Sequence, residues 1–196
     1  MKIIIPARAG SKRILNKNIV TQEVYVSTDS SKIKKIAKMY GAKHIQRPPE
    51  LATDISSTNS VIRHFLEVVD GVDHFACVQA TSPLVAAESL AVAFRKIKKR
   101  LYNSVISVCE KREFYWSKEG RALNFDINKK PRTQDLQPWF LENGAFYVTT
   151  KKNFLPSNNL VNGNVGLVVM PKLDSIDIDD RSDLQLVEYI LQARSK

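Results

Sequence analysis

Two stretches of this chain carry residue types that could act together on a phosphorylated ligand. Near the start, Ala7-Arg8-Ala9-Gly10-Ser11-Lys12-Arg13 follows the apolar run Lys2-Ile3-Ile4-Ile5-Pro6. A β-branched run of this kind reads as a buried strand. Small residues beyond it let backbone N–H groups approach phosphate oxygens, and Arg8, Lys12 and Arg13 bring charge. Open α/β sheets bind ligands at the carboxyl ends of their strands, so the loop over 8–18 reads as a triphosphate cradle. It has neither the GxxxxGK[ST] of a P-loop nor the GxGxxG of a dinucleotide site.

The second stretch is Asp174-Ser175-Ile176-Asp177-Ile178-Asp179-Asp180. In extended backbone, residues two apart share a face, which puts Asp177 and Asp179 on one side and Ile176 and Ile178 on the other. Neighbouring carboxylates repel unless a cation joins them. Oxygen ligands suit Mg²⁺, which binds one or two carboxylates together with substrate phosphates. Asp180 and Asp183 read differently, as acids favoured at the N-terminus of a following helix. A third stretch, Gln79-Ala80-Thr81-Ser82-Pro83-Leu84, offers an amide and hydroxyls to a base or sugar, although Thr-Ser-Pro is also an ordinary turn. His44, His64 and His74 lack metal-ligand spacing, and no GxSxG elbow is present.

The elements that must position these residues alternate as in βαβ proteins. Val24-Tyr25-Val26-Ser27-Thr28 is a second strand, followed by a helix with Ile33, Ile36, Ala37 and Tyr40 inward and Gly41 as its stop. Ser57 or Thr58 opens a helix carrying Val61, Ile62, Phe65 and Val69. His74-Phe75-Ala76-Cys77-Val78-Gln79 reads as a central strand, a helix over 87–101 turns Leu90, Phe94 and Ile97 inward, and Ser104-Val105-Ile106-Ser107-Val108 is a strand. Residues 110–140 break the rhythm with Phe114, Tyr115, Trp116, Phe125 and Trp139 among charges and prolines, and read as a protruding β-rich excursion suited to a subunit interface. The sheet resumes at Ala145-Phe146-Tyr147-Val148 and Val165-Gly166-Leu167-Val168-Val169. A last helix over 181–193 carries Leu184, Val187, Ile190 and Leu191.

The 196 residues suit one domain, and 43% hydrophobic content supplies a packed core. No apolar run reaches the roughly 20 residues of a membrane span, and the first strand begins too early for a secretory signal. Cys77 and Cys109 lie in apolar segments and read as reduced core residues of a cytoplasmic protein. The net charge of +10 suits anionic ligands, but the lysines at 34, 35, 38, 96, 98 and 99 fall on outer helix faces. No nucleic-acid module or aromatic-basic ladder is present, so neither a nucleic acid nor a membrane is expected as a partner.

Taken together, the stretches IIPARAGSKRILNKNI, VYVSTDSSKIKKIAKMYGA, RPPELATDISST, VQATSPL, PRTQ, ENGAFYV and DSIDIDDRSDLQLVE resemble the acylneuraminate cytidylyltransferase family, the CMP-sialic acid synthetases and their nonulosonate relatives. The resemblance implies one α/β domain over 1–196. Its fold would be a doubly wound, mostly parallel sheet of the Rossmann-like nucleotidyltransferase type, with 110–140 as the dimerisation excursion of a homodimer. It implies transfer of CMP from CTP to the anomeric hydroxyl of a 2-keto sugar acid, with Mg²⁺ or Mn²⁺. It places Arg8, Ser11, Lys12, Lys17 and Asn18 at the triphosphate, with Arg8 and Lys12 in catalysis. Arg47 and Thr58 fall at the nucleoside, Gln79, Arg132, Asn143 and Tyr147 at the sugar acid, and Asp177 and Asp179 at the metal. Arg132 would pair with the sugar carboxylate through a planar fork. The attacking hydroxyl must lose a proton, to Asp179 or to a metal-bound hydroxide. The related 3-deoxy-manno-octulosonate cytidylyltransferases, a catalytically impaired relative and a basic binding module are the alternatives.

The chain departs from the family in three places. A parallel crossover needs a dozen or more residues, usually helical, and family members carry about 25 to 30 further residues between the first two strands. Here 14–23 show no helical apolar face. Either an internal segment is missing from the sequence, which is the favoured expectation, or a helix has been lost and bares one face of the sheet. Ala9-Gly10 stands where Gly-Gly is common, and Leu141-Glu142 stands where some members have Arg-Pro. The latter removes a sugar-side cation and offers Glu142 to a hydroxyl of the acceptor's tail.

Overall fold

The computed structural model describes residues 1–8 and 23–194. The loop residues Ser11, Lys12, Lys17 and Asn18, and the question of a helix between the first two strands, lie outside the described residues.

The strands are β1 (Lys2–Pro6), β2 (Glu23–Thr28), β3 (Lys43–Gln46), β4 (His74–Val78), β5 (Ser104–Lys111), β6 (Trp139–Thr150) and β7 (Val165–Met170). They form one sheet in the order β3-β2-β1-β4-β6-β5-β7. β6 runs antiparallel to β4 and β5, and the other pairings are parallel. Ile3 and Ile4 are both fully buried, as a strand covered on two faces requires. From β1 the chain builds outward through β2 and β3, then returns to lay β4 on the other side of β1. That reversal opens a crevice at the carboxyl ends of β1 and β4.

The helices are α1 (Ser31–Met39), α2 (Thr58–Val68), α3 (Ala87–Lys98), α4 (Lys151–Ser157) and α5 (Arg181–Arg194). α3 buries Leu90, Ala93, Phe94 and Ile97 against Ile3, Ala76, Val105 and Val148 on one sheet face. α2 buries Ile62, Phe65 and Leu66 against Ile4, Tyr25 and Phe75 on the other. There the rings of Tyr25, Phe65, Phe75 and Phe154 form a chain with centroid separations of 5.6, 6.1 and 5.9 Å. Side-chain oxygens cap the helices where the sequence places them: Ser30 accepts from the Ile33 amide of α1, and Ser57 from the Ser60 amide of α2. Cys77 and Cys109 are buried with free thiols.

Several expectations need correction. Tyr40 is exposed, because α1 ends at Met39 and leaves it at the cap. β3 has only one buried apolar residue, Ile45, and so gave no periodic signal. α4 was masked by Pro156, which sits near the end of its seven residues. The excursion is not β-rich in its body. Between β5 and β6 the chain makes two 3-10 turns, Ile127–Lys129 and Thr133–Asp135, and one isolated bridge from Trp116 to Ala122. Its strand content lies in the hairpin limbs, where Glu110 pairs with Phe140 and Lys111 with Trp139.

The limbs are not in continuous register. Ile106 faces Tyr147 but Val108 faces Glu142, so Ser107 alone stands opposite a bulged 143–146. Gly144 takes φ +67° there, which suits a residue without Cβ. The buried Ser107 hydroxyl replaces the lost ladder bonds: it accepts from the Phe146 amide at 2.9 Å and donates to the Phe146 carbonyl at 3.2 Å. Ser107→Ala leaves that amide buried without a partner and is expected to cost about 1–3 kcal/mol of stability, read as a lower urea midpoint with an unchanged slope.

Candidate functional site

Among the described residues, two cavities open at the carboxyl edge of the sheet. The smaller, about 220 Å³, lies at the crevice between β1 and β4. Arg8 follows β1, Arg47 follows β3, Thr58 opens α2, and Gln79, Ala80 and Thr81 follow β4; all six line it. Arg47 is buried. Its Nε donates to Ser27 Oγ at 3.2 Å and a terminal nitrogen donates to the Ser27 carbonyl at 2.8 Å. Burial pulls its pKa below the ordinary arginine value, and the charge of Arg8 acts the same way against Asp29. The guanidinium is thus held in place with its charge only partly compensated. Arg8 is exposed and pairs with Asp54, which lines the same cavity.

The larger cavity, about 730 Å³, gathers Asn143, Gly144 and Tyr147 from the β6 bulge with Asp177 and Asp179 from the segment before α5. The predicted alternation holds in part, since Ile176 also lines the cavity. Ile176 and Ile178 pack with Leu84, Val187 and Ile190, while both carboxylates line the cavity. Tyr147 donates to Glu142 Oε1 at 2.7 Å, and burial, aided by Glu142, pushes the phenol well above its usual pKa. It therefore remains a hydrogen-bond donor at neutral pH. Asn143 Oδ1 accepts from the Ala145 amide at 3.3 Å and holds the bulge.

Gln79, Ala80 and Thr81 line the smaller cavity, and the same segment is bonded to the acidic segment of the larger one. The Thr81 carbonyl accepts from the Ile178 amide at 2.9 Å, and the Ser82 hydroxyl donates to Asp177 Oδ1 at 3.1 Å. The motif after β4 therefore links the cationic cavity to the acid pair.

Two residues expected at the sugar acid lie apart from the larger cavity. Gln79 lines the smaller cavity with Arg8 and Arg47, because its backbone is tied to the Ala145 carbonyl on the crevice side of β6. Arg132 lines neither cavity. It is exposed and binds Asp135 at 2.8 Å across the 3-10 turn that begins at Thr133. The larger cavity instead holds Lys111 and Lys172, which the sequence reading passed over. For Lys111 a signal was present: it lies two residues beyond Cys109 on β5, and both line this cavity. For Lys172 there was none, since its turn approaches the cavity only in the folded chain.

Asp180 and Asp183 behave as helix-capping acids. Asp180 accepts from Ser182 and from the Asp183 amide, and Asp183 accepts from the amides of Asp179 and Asp180. The Ser182 and Asp183 bonds lower the pKa of Asp180. A depressed carboxyl pKa stabilises the fold above the ordinary carboxylate range, and that contribution is lost as pH falls through the lowered value. Asp180→Ala removes these bonds and is expected to fray the start of α5, lower the melting temperature and weaken its dependence on acid pH, checked by thermal scans from neutral to acid pH.

The geometry can be set beside known proteins. A sequence profile described as cytidylyltransferase matches residues 19–166. N-acylneuraminate cytidylyltransferase B of Danio rerio is 31% identical over 211 residues, covering 94% of this chain and 50% of that protein. A pseudaminic acid cytidylyltransferase of Campylobacter jejuni is 29% identical over 218 residues, covering 95% of this chain and 94% of its own length. The chain thus spans about half the length of the zebrafish relative and nearly all of the bacterial one. Both alignments are longer than the 196-residue chain, so these relatives carry residues it lacks. Among solved structures, a CMP:2-keto-3-deoxy-manno-octonic acid synthetase complexed with CTP has a TM-score of 0.68 at 15% identity, covering 98% of each chain. A 4-diphosphocytidyl-2C-methyl-D-erythritol synthase from Anaerococcus prevotii has 0.61 at 14%, covering 97% of each. These likenesses establish the nucleotidyltransferase fold, and with the profile match over most of its length this chain belongs to the cytidylyltransferase family.

Proposed function

We propose that this chain transfers CMP from CTP to the anomeric hydroxyl of a 2-keto sugar acid, sialic acid or a related nonulosonate, and releases pyrophosphate. The observation that carries the reading is the pair of hydrogen bonds by which Thr81 and Ser82 hold the acidic segment. Thr81 also lines the cavity of Arg8 and Arg47, at the strand reversal where such sheets take nucleotides, so the two clusters are joined through one residue. The relatives named above support the substrate class.

In this reading Arg8 leaves Asp54 for the triphosphate, and buried Arg47 with Thr58 orients the nucleoside side. The sugar hydroxyl attacks the α-phosphorus. A new O–P bond forms, the bond to the pyrophosphate oxygen breaks, and the hydroxyl proton departs. Charge grows on the phosphate oxygens, where fixed cations stabilise the transition state more than the ground state. Asp177 and Asp179 are oxygen donors on one cavity wall. Among the described residues no cluster of three or more acidic, His or Cys side chains could hold a metal ion. That donor set fits Mg²⁺ or Mn²⁺ completed by substrate phosphates. Such an ion, held by Asp177 and Asp179, would supply charge neutralisation at the transferred phosphate. Ser82 occupies one Asp177 oxygen, which makes Asp179 the chain's own candidate base.

The exposed Trp116, Trp139 and Phe140 support a homodimer formed through 110–140. No helix among the described residues is long and apolar enough to cross a membrane, and use of CTP suits a cytoplasmic enzyme.

The test is pyrophosphate release from CTP and Mg²⁺ with sialic, legionaminic, pseudaminic and octulosonic acids. Release with a nonulosonate is expected. Exclusive use of octulosonate would reassign the acceptor, and no release with any acid would overturn the reading. Asp177→Asn and Asp179→Asn are each expected to lower turnover roughly 100-fold or more, with circular dichroism and melting temperature retained.

A further inference from the structure

The wall that carries the acid pair hangs from one buried charge. Lys172–Ser175 is a 3-10 turn closed on a single carbonyl: the Asp174 amide and the Ser175 hydroxyl both donate to the Pro171 oxygen, at 3.0 and 2.9 Å. The turn is thus internally tied, and Lys172, Leu173, Ser175 and Ile176 line the larger cavity together with Asp177 and Asp179. Asp174 does not line it. Among the described residues Asp174 is the only buried carboxylate, and a buried carboxylate without a partner either takes up a proton or moves to water. Its partner is Arg194, 20 residues on. Arg194 falls one turn beyond Ile190, on the stripe of α5 that buries Val187 and Ile190 with Ile176 and Ile178 against it. An apolar side chain there would extend the stripe. The guanidinium, on a stem long enough to lie along apolar surface, reaches Asp174 instead. The pair joins the two ends of a stretch that contains both acids, and neither partner lines the cavity.

We propose that Arg194 is a positioning residue for the divalent cation. Through Asp174 it holds the turn, and through the turn it sets the aim of Asp177 and Asp179. This rests on the proposed transfer reaction and assigns the cation's affinity partly to a contact outside the cavity. Partners that orient a metal's ligands are worth about 10- to 100-fold in affinity. The burial of Ile176 and Ile178 is independent of the pair, so the segment stays docked without it while the carboxylates lose their fixed aim.

Mn²⁺ binding tests it. The full chain is titrated with Mn²⁺ in the presence of CTP and without any acceptor, and bound metal is read as loss of the free-ion electron paramagnetic resonance signal against CTP alone. Arg194→Met is expected to raise the Mn²⁺ dissociation constant about tenfold. Calorimetric binding of CTP without metal is expected to stay unchanged. Arg194→Lys keeps the charge and should restore most of the metal affinity. Asp174→Asn with Arg194→Met removes both charges and leaves neither buried alone, so it keeps the fold should the single variant lose it; its Mn²⁺ affinity is expected to be as weak. Unchanged Mn²⁺ affinity in either Met variant would overturn the inference. So would a parallel loss of metal-free CTP binding, which marks a merely structural role, or an unaltered protein that holds no Mn²⁺. Pyrophosphate release is read separately. Its absence from the unaltered protein, with the Mn²⁺ differences intact, counts against the transfer reaction and supports the role of Arg194.

Discussion

The antiparallel course of β6 between two parallel neighbours is the constraint on which the site depends. Because β6 runs against β4 and β5, its first half lies at their carboxyl ends, where the sheet presents its ligand sites. A parallel strand in that position would place the same residues at the opposite edge. The bulge then re-aims the strand. With only Ser107 opposite 143–146, Asn143, Gly144 and Tyr147 line the larger cavity, and the Ser107 hydroxyl and Asn143 Oδ1 take up backbone groups that the ladder abandons. A buried amide left open there would cost more than the bond contributes, so the bulge and Ser107 must come together.

The second requirement is that two carboxylates stay on one cavity wall. α5 meets it from both ends. At its start, Asp183 accepts from the amides of Asp179 and Asp180, which locks the acidic segment to the first turn. At its end, Arg194 pairs with Asp174, which is buried just ahead of the segment. Between these anchors Ile176 and Ile178 sink into the cluster around Val187. The acid pair is therefore held by apolar burial and capping on the side away from the cavity, and its oxygens remain available on the other. Repulsion between the carboxylates is met by covalent and hydrophobic constraint, with one hydrogen bond from Ser82.

The charge of the chain divides along the same lines. Lys35, Lys38, Lys98 and Lys99 are exposed on outer helix faces, as a solvated surface requires. Lys96 is spent on the Leu167 carbonyl and the Tyr102 ring. The excursion is similarly divided. Phe114, Phe125 and Trp116 pack on one another under Lys130, and Tyr115 stacks on Trp139, yet one side of Trp116 and Trp139 still faces outward. The cluster gives the protrusion its own small core without a sheet.

Local order was legible in the residues themselves. Period and capping are short-range, so β1, β2, α1, α2, β4, α3 and α5 could be read from runs such as Ile3-Ile4-Ile5 and from Ser30 and Ser57. The alternation of Ile176, Asp177, Ile178 and Asp179 likewise follows from backbone geometry alone. Short elements such as β3 and α4 escaped because four to seven residues with one buried side chain have no measurable period. What the tertiary structure alone decided is which distant side chains meet. Arg132 turned to its neighbour Asp135, Gln79 joined the arginine cavity, and Lys111, Lys172, Leu141, Leu173 and Leu186 met around the larger cavity. Those meetings depend on strand order, the direction of β6 and one bulge, and no window of sequence contains them. The sequence by itself determined the chemical groups and the faces they occupy; the fold decided their company, because contacts between distant segments are set by packing rather than by spacing.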